Sequence, residues 1–229
     1  MMVEMPVIVI SSPQFKTGKT TVVLNLASAL WNDGYEVKIF SHDDKLIEQF
    51  IEKRKILNEK GHDLYIPEII DENTLLNASY IDKGVIIADI PSLESEQYKQ
   101  IFYKAHTLIT LIKSVDDLIG TENIKYLELI WEVKKVIAQK GIKNLNWITV
   151  ENMMEKIPET EIQNTLHQHA KRYGYRIFSG LKKREAFKCI NEGLCLADMA
   201  TIEKKSMTMH DLYAYREILR LTDFLWNYK

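Results

Sequence analysis

Val7-Ile8-Val9-Ile10-Ser11-Ser12-Pro13-Gln14-Phe15-Lys16-Thr17-Gly18-Lys19-Thr20-Thr21 decides the reading of this chain. Pro6 to Ile10 is a short β-branched run without alternation, the pattern of a strand buried on both faces. From Thr20 to Asn32 the spacing changes to that of a helix, with Val23, Leu24, Leu26, Ala27, Leu30 and Trp31 on one side. Asn32-Asp33-Gly34 ends it. Gly18-Lys19-Thr20 therefore lies between a buried strand and a helix, the setting of the second half of a Walker A loop. The unpaired N–H groups and partial positive charge of a helix N-terminus attract an anion. Lys19 adds a point charge for the β- and γ-phosphates, Thr20 a hydroxyl for Mg2+, and Thr21 a cap for the α-phosphate. The first glycine of the usual GxxxxGK pattern is Pro13 here.

Outward from the loop the same alternation continues. Val37–Phe40, Gly84–Ala88, Thr107–Ile112 and Asn146–Val150 read as strands. Helices are expected over Asp44–Lys60, Asp116–Gln139, Glu159–Tyr173 and Asp211–Trp226, the last packing against the core, while Glu68–Lys83 reads as irregular or short helical. Strand–helix alternation implies right-handed crossovers. The expected fold is α/β, a three-layer P-loop NTPase fold with a mostly parallel central sheet and helices on both faces. One domain over residues 1–229 is expected, since no linker or repeat interrupts the pattern.

The 229 residues are enough for a sizeable core, and the formal net charge of -2 gives no global attraction to nucleic acid. Cys189 and Cys195 show no metal-ligand spacing and read as reduced thiols, and His167 and His169 read as surface polar groups. The N-terminal apolar run is too short for a signal peptide, and no window reaches the length of a membrane span. A soluble, cytoplasmic protein is expected.

Asp89 ends the strand Gly84–Ala88 and is the candidate Walker B carboxylate, holding Mg2+ through water together with Thr20; the competing reading is a capping or structural aspartate. Between Lys171 and Lys188 seven basic residues face one acid, Glu185. Lys182, Arg184 and Lys188 are the candidates there for sequence-independent phosphate contacts, with Arg184 and Lys188 on one face if the segment is α-helical. A merely solvated basic face stays open.

Gln14 to Thr21, aligned without a gap, resembles the deviant loop of the ParA/MinD superfamily, KGGxGK followed by two hydroxyl residues. The family's signature lysine falls on Gln14 and its glycine pair on Phe15 and Lys16; Thr17, Gly18, Lys19, Thr20 and Thr21 complete the nucleotide-binding set. Ser41-His42-Asp43 is similar to the family's Asp-x-Asp, and the resemblance gives Asp43 the role of orienting the attacking water, against a helix N-cap as the bland reading. Asp89-Ile90-Pro91-Ser92 resembles Asp-x-Pro-Gly. Asn152, after the fifth strand, falls where relatives read adenine, and is equally a common turn residue. Lys16 is the candidate to return a catalytic charge in place of the signature lysine.

The segments 146–152, 171–177, 180–184 and 193–199, with the loop 113–121, resemble MipZ-type division-plane positioning ATPases in order and spacing. That resemblance implies ATP/ADP and Mg2+ as cofactors and a nucleotide-dependent homodimer. It also implies nonspecific binding to chromosomal DNA, hence a nucleoid-associated location, a ParB-like partner and an FtsZ-like division protein as target. A degenerate, non-hydrolysing binding protein of the same fold and an ATP-dependent ligase of dethiobiotin synthetase type remain open.

Overall fold

The computed structural model describes residues 6–42, 44–78, 83–91, 97–114, 116–141, 144–154, 159–199, 202 and 207–226. Along the chain come β1 (Val7–Ser11), α1 (Lys19–Asn32), β2 (Glu36–Ser41), α2 (Asp44–Glu59), β3 (Glu68–Ile69), α3 (Glu72–Leu76), β4 (Gly84–Asp89) and α4 (Lys99–Lys104). There follow β5 (Thr107–Ile112), α5 (Asp116–Ile119), α6 (Thr121–Gln139), β6 (Asn146–Met154), α7 (Glu159–Tyr173) and β7 (Arg176–Lys182). A 3-10 helix over Glu185–Glu192 leads to α8 (Leu196–Met199) and α9 (Met209–Trp226).

The strands form one sheet in the order β3-β2-β4-β1-β5-β6-β7. Every pairing is parallel. The two-residue period of a strand divides the core. Ile8, Ile10, Ile39, Val85, Ile87 and Ile109 face one layer, against α1, α2, α8 and α9. Val7, Val9, Phe40, Ile86, Ala88 and Leu108 face the other, against α4, α6 and α7. Both sets are nearly solvent-free, which is why the strands read as unbroken apolar runs.

Three features differ from the sequence expectation. The sheet has seven strands rather than five, because β3 has only two residues and β7 carries Arg176, Ser179, Gly180 and Lys182. The helix expected over Asp116–Gln139 is broken at Gly120, whose ψ of 147° is extended. Trp31, expected on the buried side of α1, is 45% exposed and stacks on Tyr65 with ring centroids 5.0 Å apart.

Candidate functional site

β1 is the middle strand, and the loop that leaves it enters α1 at the C-terminal edge of the sheet. A crevice between strands whose crossovers run in opposite directions is where open α/β sheets bind ligands. Here β1 sits between β4 and β5, so the loop between Ser11 and Lys19 arches over that point.

The loop is held from within. Ser12 Oγ donates to the carbonyl of Gln14 at 3.0 Å and accepts from the Gln14 N–H at 3.2 Å. Lys16 has φ 54° and Gly18 φ 79°, both left-handed. The second position where the ParA/MinD loop carries glycine is thus one whose backbone favours glycine, and Lys16 accepts strain there, whereas Phe15 does not. Asn152, buried at the end of β6, donates through Nδ2 to the Thr17 carbonyl at 2.5 Å. Its amide braces the loop from beneath.

Lys19 and Thr20 open α1, and Val22 N–H donates to the Gly18 carbonyl at 3.0 Å. Thr20 Oγ1 donates to Asp89 Oδ2 at 2.6 Å. Asp89 ends β4 and stands in register with Ile10 of β1 and Ser41 of β2. Burial lowers the Lys19 ammonium below the usual lysine range, and the nearby Asp89 carboxylate opposes that effect. A hydroxyl and a carboxylate in contact at the start of a P-loop helix are the hard-oxygen pair that Mg2+ accepts, its other ligands being water and phosphate. No group of three His, Cys, Asp or Glu that could hold a metal occurs among the described residues. The adjoining Thr20 hydroxyl and Asp89 carboxylate fit a cation held jointly with phosphate.

The other candidates are placed as follows. Gln14, Phe15 and Lys16 are exposed at the loop tip, and Thr17 is fully buried. Gln14 Nε2 donates to Asn123 Oδ1 at 3.3 Å, and Asn123 Nδ2 donates to the Asp116 carbonyl at 2.5 Å. The position of the signature lysine is thus tied to the α5–α6 turn of its own chain. Asp43 lies outside the described residues; beside it, His42 Nδ1 contacts the Tyr98 hydroxyl at 2.5 Å, joining the end of β2 to the segment after β4. Sequence reading missed Asn123, Tyr98 and Arg54, since each acts across a long stretch of chain.

Beside Gly18, Thr21 and Val22 opens a cavity of about 310 Å³. Leu46 of α2, Asn152, and Lys183, Arg184, Phe187, Lys188 and Ile190 around the 3-10 helix also line it. The basic segment thus borders the phosphate loop. Arg184 is extended, outside the 3-10 turn, and its guanidinium pairs with Glu217 of α9, Nη2 to Oε1 at 2.6 Å and Nε to Oε1 at 3.2 Å. Lys188 pairs with Glu185 at 2.6 Å on the surface, as the three-residue period of a 3-10 turn requires. Arg184 and Lys188 therefore do not share an α-helical face. Lys182 is exposed.

A loop of Walker A pattern on the central strand, a carboxylate at the end of β4 touching its threonine and an all-parallel sheet define the P-loop nucleotide-binding class. The model of the ATPase MipZ family matches residues 6–226, and the chain belongs to that family. Similar solved structures include the MinD cell division protein of Aquifex aeolicus, at 15% identity, TM-score 0.56, covering 95% of this chain and 97% of that one. A plasmid partition protein from Borrelia burgdorferi is 14% identical with TM-score 0.55, covering 97% and 99%. McdA from Cyanothece in complex with ATP is 14% identical with TM-score 0.55, covering 95% and 97%. Among curated protein sequences there was no significant match. At such identities the structures establish the shared fold, and the family match supports a nucleotide-dependent role in division or partition.

Proposed function

We propose that this chain is an ATP- and Mg2+-binding switch that hydrolyses slowly, dimerises with nucleotide and binds DNA without sequence preference. The observation that carries the nucleotide reading is the Thr20–Asp89 contact at the start of α1, beside the half-buried Lys19. The N–H groups at the start of α1 cradle phosphate, Lys19 balances its charge, and Thr20 exchanges its bond to Asp89 for the cation. Mg2+, when bound, neutralises charge that builds on the β- and γ-phosphates. Asn152 keeps the loop at its height, so adenine recognition falls to the cavity wall and to whatever the Asn152 carbonyl oxygen contributes. Asp43 is the candidate to orient water and Lys16 the candidate to return a charge.

The exposed side chain of Lys182 supports DNA contact, and so does Lys188, whose pair with Glu185 lies in solvent, whereas Arg184 supports it less, being engaged by Glu217 in a largely buried pair. Control through a ParB-like protein and action on an FtsZ-like protein rest on family membership. Slow turnover is favoured by a specific observation, the docking of Gln14 onto Asn123 in place of a lysine free to reach a partner's phosphates.

Calorimetry with ATP and Mg2+ tests the reading. Lys19→Ala should remove most of the affinity, and Asp89→Asn should remove the Mg2+ dependence. Unchanged binding in Lys19→Ala refutes the assignment. Sizing with ADP, ATP and a nonhydrolysable analogue tests dimerisation: a monomer in all three refutes that part.

A further inference from the structure

Arg54, on α2, is fully buried and distant in sequence from every phosphate-binding residue. Its guanidinium is shared among three groups. Nη2 pairs with the Asp198 carboxylate, Nη1 donates to the Tyr65 carbonyl, and Nε donates to the Gly193 carbonyl at 3.0 Å. The plane lies 4.5 Å over the Phe50 ring. Asp198, on α8, is satisfied in turn by Ser28 Oγ of α1 at 3.0 Å and by the Cys195 N–H at 2.6 Å.

These contacts bind together the elements that wall the cavity. α2 supplies Leu46, α1 supplies Thr21 and Val22, and the 3-10 helix just before Gly193 supplies Phe187, Lys188 and Ile190. A second thread runs alongside: the Leu196 N–H donates to Asn25 Oδ1 at 2.9 Å, and Asn25 Nδ2 donates to the Thr21 carbonyl at 2.9 Å. A third fixes the far end of the 3-10 helix, where Lys53 Nζ donates to the Asn191 carbonyl at 2.6 Å. Gly193 has φ 79°, and a Cβ there would stand 2.7 Å from Lys53 Cβ. The turn thus packs closely on α2 at Lys53 and Arg54.

We propose that Arg54, through Asp198 and Gly193, is a positioning residue for the base-and-ribose end of the nucleotide: it sets the distance of the α2 and 3-10 walls from α1. The proposal rests on the nucleotide reading above. The phosphate end is built separately, from the β1 loop, Asp89 and the first turn of α1, none of which Arg54 touches. A nucleotide should therefore feel the loss of Arg54, and a bare polyphosphate should not. A purely structural ion pair would make no such distinction, because general destabilisation weakens both alike.

The test compares ATP with inorganic tripolyphosphate, each with Mg2+, by calorimetry on the full chain. Wild type is expected to bind both, and Lys19→Ala neither. In Arg54→Met the affinity for ATP should fall about tenfold or more, with that for tripolyphosphate unchanged. Because a buried charge left alone can prevent folding, two milder variants carry the same prediction. Arg54→Met combined with Asp198→Asn removes both charges together, and Arg54→Lys keeps a cation beside Asp198 while giving up the guanidinium's fork to the Tyr65 and Gly193 carbonyls. Equal losses for both ligands, or no loss of ATP affinity in folded variants, overturn the proposal. So does a wild type that binds ATP but no tripolyphosphate. A wild type that binds neither overturns the nucleotide reading itself.

Discussion

Lys16 occupies a left-handed backbone position at φ 54°. An L-residue there carries strain of roughly 1–2 kcal/mol, partly offset because glycine loses more freedom on folding. Lys16→Gly should therefore raise stability by up to about 1 kcal/mol in urea unfolding; a clear decrease would mean that the lysine side chain makes a compensating interaction. Its effect on turnover separates two roles. If Lys16 replaces the signature lysine, the same variant loses the residual ATPase activity while single-chain ATP affinity persists. Gln14 poses the complementary question. Its amide is anchored on Asn123, so Gln14→Lys should raise turnover only as far as the new ammonium can leave that anchor. One preorganised charge is worth on the order of a hundredfold in rate. A hundredfold gain in a single-turnover assay would show that the position still faces the reacting phosphates, and no gain would show that the loop tip has become structural. Arg184 and Glu217 form a half-buried pair in which Nε and Nη2 both donate to Oε1. Arg184→Ala should cost about 2 kcal/mol, the scale of charge-assisted hydrogen bonds, and a stability change within error would show that the pair is dispensable.

At the scale of elements, the break between α5 and α6 governs the phosphate loop from outside. Gly120 is extended there, and a Cβ on it would meet Asn123 Nδ2 at 2.8 Å. Gly120→Ala should leave stability within about 1 kcal/mol, since its φ of -65° suits any residue, but should swing Asn123 away from Gln14. The expected readout is faster hydrogen exchange at the Gln14 and Phe15 amides; unchanged exchange would mean that Asn123 does not hold the tip. This break is not legible in the sequence, because apolar residues continue at helical spacing across Gly120. The strands divide the same way. β1 and β4 are legible because both their faces are buried and their runs are apolar, and β2, β5 and β6 because Val37, Ile39 and Phe40, Leu108 to Ile112, and Trp147, Ile148 and Val150 keep an apolar core around Lys38, Thr110 and Thr149. β7 is not, since an edge strand exposes Ser179 and Lys182 and reads as part of a basic loop. Periodicity points Trp31 inward, yet the Tyr65 ring meets it at the surface. In the site, Thr20 and Asp89 are legible because each ends a recognisable strand or begins a helix. The Gln14–Asn123 and Arg54–Asp198 contacts span 109 and 144 residues, and no local pattern encodes such a pairing.

For the whole molecule, the sheet order gathers the phosphate loop, Asp89 and Asn152 at one edge and brings the basic 3-10 segment beside them. DNA binding, if carried by this rim, is therefore adjacent to the nucleotide rather than on a separate face. Charge reversal at Lys182 and Lys188 should weaken binding to all sequences and lower the salt slope by about one for each phosphate that is no longer neutralised; equal affinity over several salt concentrations would confine those lysines to a solvated face. The opposite end of the molecule is furnished differently. There Trp31 stacks on Tyr65, and Trp226 lies over Tyr35 with centroids 5.7 Å apart. Trp31 stands twelve residues along α1 from Lys19, roughly 18 Å at the helical rise, and none of the cavity-lining residues is a tryptophan. Intrinsic fluorescence is consequently a remote indicator: quenching by direct contact with a bound base is excluded for Trp31 and Trp226. Trp131 and Trp147 emit as well, so an emission change on adding ATP that is lost in Trp31→Phe and Trp226→Phe would record movement of α1 against α9 at the far pole, an optical channel for a nucleotide-driven conformational step without any engineered label.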